Sequence, residues 1–541
     1  MLDIKIINGT VIDGTGRDRY RADVGIQGDR ITAIGDLQAV EAAQVIDAEG
    51  KIIAPGFIDI HTHSDISLLV DPLASAKLHD GVTTEVIGNC GIGVAPVNET
   101  YKNDLITYLG SRLVGSIPIQ LELPWTDMES YLKRMEEATP AVNVVPLLAQ
   151  GVIRINEMGF SKAHPDAAAM ERMKAEIAKS MEAGCVGFSS GLVYMPGEYT
   201  TTEELGELCT AVAPFGGFYV THIRNMADEI FPAIEEAIEI ARLGGVPLHI
   251  SHLKLSGKKM AGKTEELFAL IDRAKDSGLD VTFDVYPYER NCTSLSACVS
   301  PWAFEGGLPC MLERIKDPEI RARIRKDIEQ GIPGWNNFAH NAFGGFDGVY
   351  IATVRTEAGE AFVGKTVGEL AREYGKDPYD MMFDILLQEE GRVQIVTNVM
   401  AEDDVAAIVS HPDAMIGSDG MSLSTEGILS SGRPHPRAFG THGRVLAHYV
   451  RERGLITLED AVKKMTSMPA GRLGLKDRGI LKAGNFADIV VFDADTVQDH
   501  ARYEDPKQYT TGFEAVIVNG KVALRYDGQT NLLAGRVLRR V

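Results

Sequence analysis

The sequence predicts an α/β fold: a TIM-like (β/α)8 barrel with a small β-sandwich built from both chain ends and an insertion over the active site. Three observations predict it. Helical periodicity, a glycine and a short apolar strand recur in that order through the middle of the chain. Both ends read instead as short strands divided by turns. Several central strands end in histidine, cysteine or aspartate, and the C-terminal strand ends are where a parallel barrel gathers its chemistry.

In residues 1–53 the strands are Ile4-Lys5-Ile6-Ile7 and Thr10-Val11-Ile12 around the Asn8-Gly9 turn, then residues 23–26 and 31–34 around Gly28-Asp29. Residues 476–541 repeat the style at 488–492, at 515–518 and, after the Asn519-Gly520 turn, at 521–524. Two incomplete β segments at opposite ends can complete one sandwich. Between them, residues 54–475 carry the alternating pattern. Met170, Met173, Ile177 and Met181 fall at helical spacing, stop at Gly184 and lead into a strand at 185–190. Ile234, Ile238 and Ala241 stop at Gly244-Gly245, before a strand at 246–252. Leu267, Leu270, Ile271 and Ala274 stop at Gly278, before one at 281–286. An open doubly wound sheet is the rival architecture, and length favours the closed barrel. Residues 289–350 interrupt the rhythm with Pro301, Pro309, many glycines and one charged helix near 314–329, and read as an insertion over the site.

The 541 residues are 45% hydrophobic and 24% charged, enough to bury a large core. Lys and Arg total 54 against 76 Asp and Glu, so the net charge of −22 disfavours nucleic acid as a partner. No apolar run approaches the ~20 residues of a membrane helix. The start, Met1-Leu2-Asp3-Ile4-Lys5, lacks the features of a signal peptide. Six cysteines at Cys90, Cys185, Cys209, Cys292, Cys298 and Cys310 show no disulfide framework. A cytoplasmic protein with a small-molecule substrate is expected.

The strand ending Asp59-Ile60-His61-Thr62-His63 places two imidazoles on one face at i and i+2, close enough to bind one ion. Asp59 shares that face and can hold an imidazole tautomer. Alone, the pair reads equally as a hydrogen-bonded core or surface pair. His222 and His252 end strands about one βα unit apart, and Asp419 ends the strand at 414–418, where a carboxylate can serve as ligand, general base or both. His249 has the opposite parity from His252 and should point elsewhere. Cys90 closes the strand at 84–89; it is a candidate bridging thiolate, or a small buried apolar residue, the commoner fate of a free cysteine.

With these residues in place the sequence resembles the amidohydrolase superfamily and, within it, the D-aminoacylases (N-acyl-D-amino-acid deacylases). The resemblance spans nearly the whole chain. It rests on the run 54–63, Gly88-Asn89-Cys90-Gly91, Ser189-Ser190-Gly191-Leu192-Val193-Tyr194, Thr221-His222-Ile223-Arg224, Ser251-His252-Leu253-Lys254, Tyr286-Pro287-Tyr288, Gly417-Ser418-Asp419-Gly420 and His435-Pro436-Arg437. It implies that Cys90, His222 and His252 hold a tight Zn2+, with His61, His63 and Asp419 at a second, weaker position. It further implies that Asp419 takes a proton from the attacking water and passes it to the leaving amine, releasing a carboxylate and a free D-amino acid. Tyr194, Lys254 and Arg437 are then expected to bind the substrate α-carboxylate, as an ammonium and a guanidinium can. Two stretches depart from the family pattern. His442 follows Gly440-Thr441 where Phe-Pro is usual, and Glu289-Arg290-Asn291 replaces small residues after Tyr288. Arg290 can meet an acidic D-side chain, or it can pair with Glu289 or face solvent. Two other functions remain open at this stage: a cyclic-amide hydrolase of the hydantoinase or dihydroorotase type, and a non-catalytic barrel used for binding. The first needs a bridging lysine that Ser189-Ser190 does not supply, and the second has no need of so complete a ligand set.

Overall fold

The computed structural model describes residues 1–541 apart from 115, 116, 118, 527 and 541. Eight parallel strands form the barrel: β1 (Phe57–Asp59), β2 (Val82–Ile87), β3 (Asn143–Pro146, continued by Leu148–Ala149), β4 (Gly187–Gly191), β5 (Phe218–His222), β6 (Leu248–Ile250), β7 (Val281–Val285) and β8 (Ala414–Ile416). Each pairs in parallel with the next. Between β8 and β1 the ring is joined by the parallel bridge Thr62 to Gly420 and by hydrogen bonds from Asp419 N to His61 O at 2.8 Å and from His63 N to Gly420 O at 2.9 Å. The sheet is therefore closed, not open. Its strands are buried on both faces, as all six residues of β2 show, so they lack the inside–outside alternation of a half-exposed strand.

Helices cover the outside in the expected places. Ala167–Glu182 starts at Asp166, whose side chain accepts from Ala169 N, and buries Met170, Met173, Ile177 and Met181. Ile230–Gly244 ends where Gly245 turns left-handed at φ 65°, a conformation that glycine adopts without Cβ strain. No helix among the described residues is long and apolar enough to cross a membrane.

Strands from both chain ends share one seven-stranded sheet, in which Ile489–Phe492 pairs with Ile52–Pro55. A four-stranded sheet from residues 2–47 packs on it, and Ile4, Ile6 and Val24 meet Ile53, Ile489 and Ile517 in a common core. Two details differ from the sequence reading. The segment that breaks the βα rhythm runs past 350, because Arg290–Ser294, Val349–Thr353 and Gln394–Asn398 form one antiparallel sheet and the next barrel strand is β8. The charged helix is two helices, Leu308–Arg314 and Pro318–Gln330. Pro318 cannot continue a helix from the preceding turn, and Asp317 caps a new one by accepting from Glu319 N.

Candidate metal centre and active site

At the C-terminal mouth of the barrel, one ligand atom each from His61, Cys90, His252 and Asp419 lies within 4.8 Å of every other, and all four residues are buried. Cys90 Sγ is 3.2 Å from His61 Nε2 and 3.5 Å from His252 Nε2. The Asp419 carboxylate is 3.0 Å from His63 Nε2, 3.5 Å from His61 Nε2 and 4.0 Å from His252 Nε2. His222 stands edge-on to His252, with ring centroids 4.3 Å apart. The six residues expected to ligate metal thus converge, although the tight cluster draws from both expected sets, and His63 and His222 flank it.

The backbone aims these side chains. Cys90, His252 and Asp419 each follow a strand end and take left-handed φ values of 55°, 34° and 49°. Such values cost about 1–3 kcal/mol for a residue with a Cβ and persist where neighbours hold them. Here His252 N donates to Asp284 Oδ1 at 3.0 Å and Asp419 N donates to His61 O at 2.8 Å. Beside Cys90, the Gly91 loop crosses the end of β4 so closely that a Cβ on Gly91 would lie 2.7 Å from Gly191 N.

The donor set suits a borderline divalent ion. Both ring nitrogens of His222 and Nδ1 of His63 are buried without a hydrogen-bond partner. Burying such groups unpaired is costly, and ligation of a cation satisfies them. Burial works against the Cys90 thiolate, but the His61 and His252 imidazoles outweigh it and hold the thiol well below its usual range. Burial likewise opposes the Asp419 carboxylate, while Arg437 and His252 hold it well below the usual range. A thiolate, imidazoles and a carboxylate together match zinc chemistry.

Asp59 does not hold an imidazole. It meets Lys77 Nζ at 2.7 Å and accepts from Ser418 N at 2.8 Å, tying β1 to the end of β8. Asp284, which the sequence reading passed over, takes the expected role: its Oδ2 lies 3.2 Å from His61 Nδ1 and 3.0 Å from His249 Nε2. His249 points away from the ligand cluster and braces Asp284. Replacing Asp284 by Asn should weaken zinc binding by about 10–100-fold, the usual cost of losing such an outer partner. Competition with a chelator checks it, and wild-type affinity in the variant would remove Asp284 from the centre.

A cleft with about 940 Å³ of atom-free space, its open mouth included, lies above the cluster, and Tyr194, Lys254 and Arg437 all line it. Arg437 Nη1 is 2.8 Å from Asp419 Oδ2, an ion pair too bent to count as a hydrogen bond. Lys254 Nζ is 2.9 Å from His252 Nδ1, and burial pushes its ammonium down to about 7. Tyr194 Oη is 3.2 Å from Thr293 Oγ1, and burial raises its phenol, which stays a neutral donor. Tyr286 also lines the cleft, with a buried hydroxyl that has no partner. The altered stretch at 440–444 begins with a kink, where Gly440 leaves the helical conformation at φ −143° and ψ 23°, and is pinned by Asp80, which accepts from His442 N at 2.7 Å and Gly443 N at 2.9 Å.

Arg290 is not among the residues that line the cleft; its guanidinium carbon lies 4.1 Å from the centroid of the Tyr503 ring and 4.8 Å from that of Tyr350, residues the chain brings from far away. Ser189 and Ser190 occupy the end of β4, where the cyclic-amide reading needs a lysine. Ser189 Oγ accepts from Gly91 N, and Ser190 Oγ bonds to the hydroxyls of Tyr219 and Thr221.

A closed parallel barrel whose strand ends present thiolate, imidazole and carboxylate donors beneath a cationic cleft defines a metal-dependent hydrolase. The chain belongs to the Amidohydrolase family, whose profile matches residues 44–524. It is 36% identical over 539 residues to an N-acyl-D-glutamate deacylase and 35% identical over 544 residues to a D-aminoacylase, both of Alcaligenes xylosoxydans xylosoxydans. These alignments cover 100% and 99% of this chain and 97% and 98% of the relatives. The structure superposes on the N-acyl-D-glutamate deacylase of Bordetella bronchiseptica, in complex with zinc and a phosphonate inhibitor that mimics the tetrahedral intermediate. The TM-score is 0.82 at 33% identity, with 99% of each chain covered.

Proposed function

We propose that this chain hydrolyses the amide bond of N-acyl-D-amino acids in a zinc-dependent reaction, giving a carboxylate and a free D-amino acid. The observation that carries the reading is the ligand cluster beside an ionised Asp419, at the floor of a cleft lined by Lys254 and Arg437, in a chain related over its whole length to D-amino-acid deacylases. In this reading Cys90, His222 and His252 hold the tight zinc, and His61, His63 and Asp419 form a second, weaker position. A zinc ion there supplies an electrophile for the amide carbonyl and acidifies water.

The chain's own residues supply the rest. Asp419 is ionised, so it can accept a proton from the attacking water. It then delivers that proton to the amide nitrogen, which must be protonated to leave in preference to hydroxide. His63 at 3.0 Å and Arg437 at 2.8 Å hold the carboxylate in position for both transfers. Tyr194, Lys254 and Arg437 receive the α-carboxylate. Once the α-carboxylate and the scissile carbonyl are both fixed, the two enantiomers differ only in which side of the α-carbon carries the side chain. A cleft that accepts the side chain on only one of those sides selects one hand. The division into a barrel at 54–475 and a sandwich from 1–53 and 476–541 belongs to the same reading. So does a cytoplasmic location, in keeping with six cysteines that are all free, and a charge that disfavours nucleic acid.

A panel of N-acetyl and N-formyl D- and L-amino acids, assayed with zinc content measured in parallel, tests this. Release of amine from D-substrates alone, in proportion to zinc, is expected. Activity confined to L-substrates or to cyclic amides would end the assignment.

A further inference from the structure

Among the described residues, three non-histidine cations line the cleft, Arg112, Lys254 and Arg437, with Asp419 as the one carboxylate and Cys90 as a thiolate of the metal cluster. Two of the three are engaged inside the centre: Arg437 with Asp419, and Lys254 with His252 Nδ1. Arg112 is not. Among the described residues it makes no ion pair and no hydrogen bond, and its Nε is buried without a partner. Its guanidinium carbon lies 3.9 Å from the centroid of the Tyr194 ring and 5.4 Å from that of Tyr108, cation–π contacts that hold it without using its N–H donors. The segment that carries it, Gly110–Val114, forms a π-helical turn after helix Lys102–Leu109 in the β2–β3 connection.

The neighbouring polar lining is neutral: Ser111, Asn291, Thr293, Ser294 and Gln394. A guanidinium held by a ring, with unused donors and no acid among the lining beside it, is built to receive a planar anion bidentately. The α-carboxylate already has Tyr194, Lys254 and Arg437. The charge left over calls for a second carboxylate on the same substrate.

We propose that Arg112 binds a second carboxylate of the substrate, so that the preferred substrate is a dicarboxylate. The second acid sits in the D-side chain, as in D-glutamate or D-aspartate, or in the acyl group. This inference rests on the deacylase reading above and places at Arg112, which lines the cleft, the role that the sequence suggests for Arg290, which lies against Tyr350 and Tyr503.

The test compares kcat/KM of wild type, Arg112→Gln and Arg112→Lys on two pairs of near-isosteres. One is N-acetyl-D-glutamate with N-acetyl-D-glutamine; the other is N-succinyl-D-alanine with N-succinamoyl-D-alanine. Wild type should favour the charged member of one pair by about 10–100-fold, the scale of a bidentate charge-assisted contact. In Arg112→Gln that ratio should fall to about threefold or less, with Arg112→Lys intermediate. The pair that shows discrimination tells whether the acid lies in the side chain or the acyl group. No preference in either pair, or ratios unchanged by Arg112→Gln, overturns the inference. Hydrolysis of neutral D-substrates in that case leaves the deacylase reading standing, whereas no hydrolysis of any D-substrate removes the reading itself. Because each readout is a ratio within one enzyme, a partly misfolded variant does not mimic the result.

Discussion

Replacing Asp419 by asparagine should lower kcat by about 10²–10⁴-fold, the range that general acid–base catalysis contributes, while the tight zinc stays bound. Asparagine keeps the shape and one oxygen donor but can neither take the water proton nor pass one to the amine. The geometry makes this site sensitive, because among the described residues Asp419 is the one carboxylate that lines the cleft. His63 and Arg437 hold its two oxygens in different directions, at 3.0 and 2.8 Å, so no nearby acid can replace it. Steady-state kinetics with zinc analysis on the same preparation checks the claim. Near-wild-type kcat at full zinc content would show that proton transfer is carried elsewhere.

Replacing Cys90 by alanine should remove zinc and activity together, with a loss on the order of 10³-fold or more, because the metal's polarisation of the carbonyl goes with it. Alanine at φ 55° meets the same backbone strain as cysteine, so the substitution adds no new conformational cost at that position. Loss of activity would then reflect the sulfur. Serine separates the two effects further, since it restores size but offers a hard, weakly ionised oxygen in place of a thiolate. Full zinc occupancy in Cys90→Ala would reject the ligand role.

Much of the fold was legible because a (β/α)8 barrel repeats a local pattern. The helices that end at Gly184 and Gly245 and the strands after them need only periodicity and a glycine to be seen. Cys90, His222, His252 and Asp419 stood out for a related reason: a polar residue closing an apolar strand marks the barrel mouth, and all four lie within or flank one buried cluster. What stayed hidden depends on partners far apart in sequence. Asp284 lies in the buried strand β7, and its tie to His61 spans 223 residues. Asp59 looked the better brace by spacing alone, but Lys77 and Ser418, 18 and 359 residues away, take its carboxylate. Arg290 follows Tyr288 in sequence, yet Tyr503, 213 residues away, accepts from its backbone nitrogen and packs its ring against the guanidinium. Local rules equally miss Arg112, because it sits on a π-helical turn without apolar periodicity. The antiparallel sheet that joins 290–294 to 394–398 is likewise a non-local pairing.

The most direct single measurement is chiral analysis of the amino acids released from racemic N-acetylmethionine and N-acetylglutamate by zinc-loaded enzyme. The account predicts free D-amino acid with the L-substrate left intact, and no release after zinc has been stripped. Release of the L-enantiomer, or D-release that persists without zinc, would contradict it.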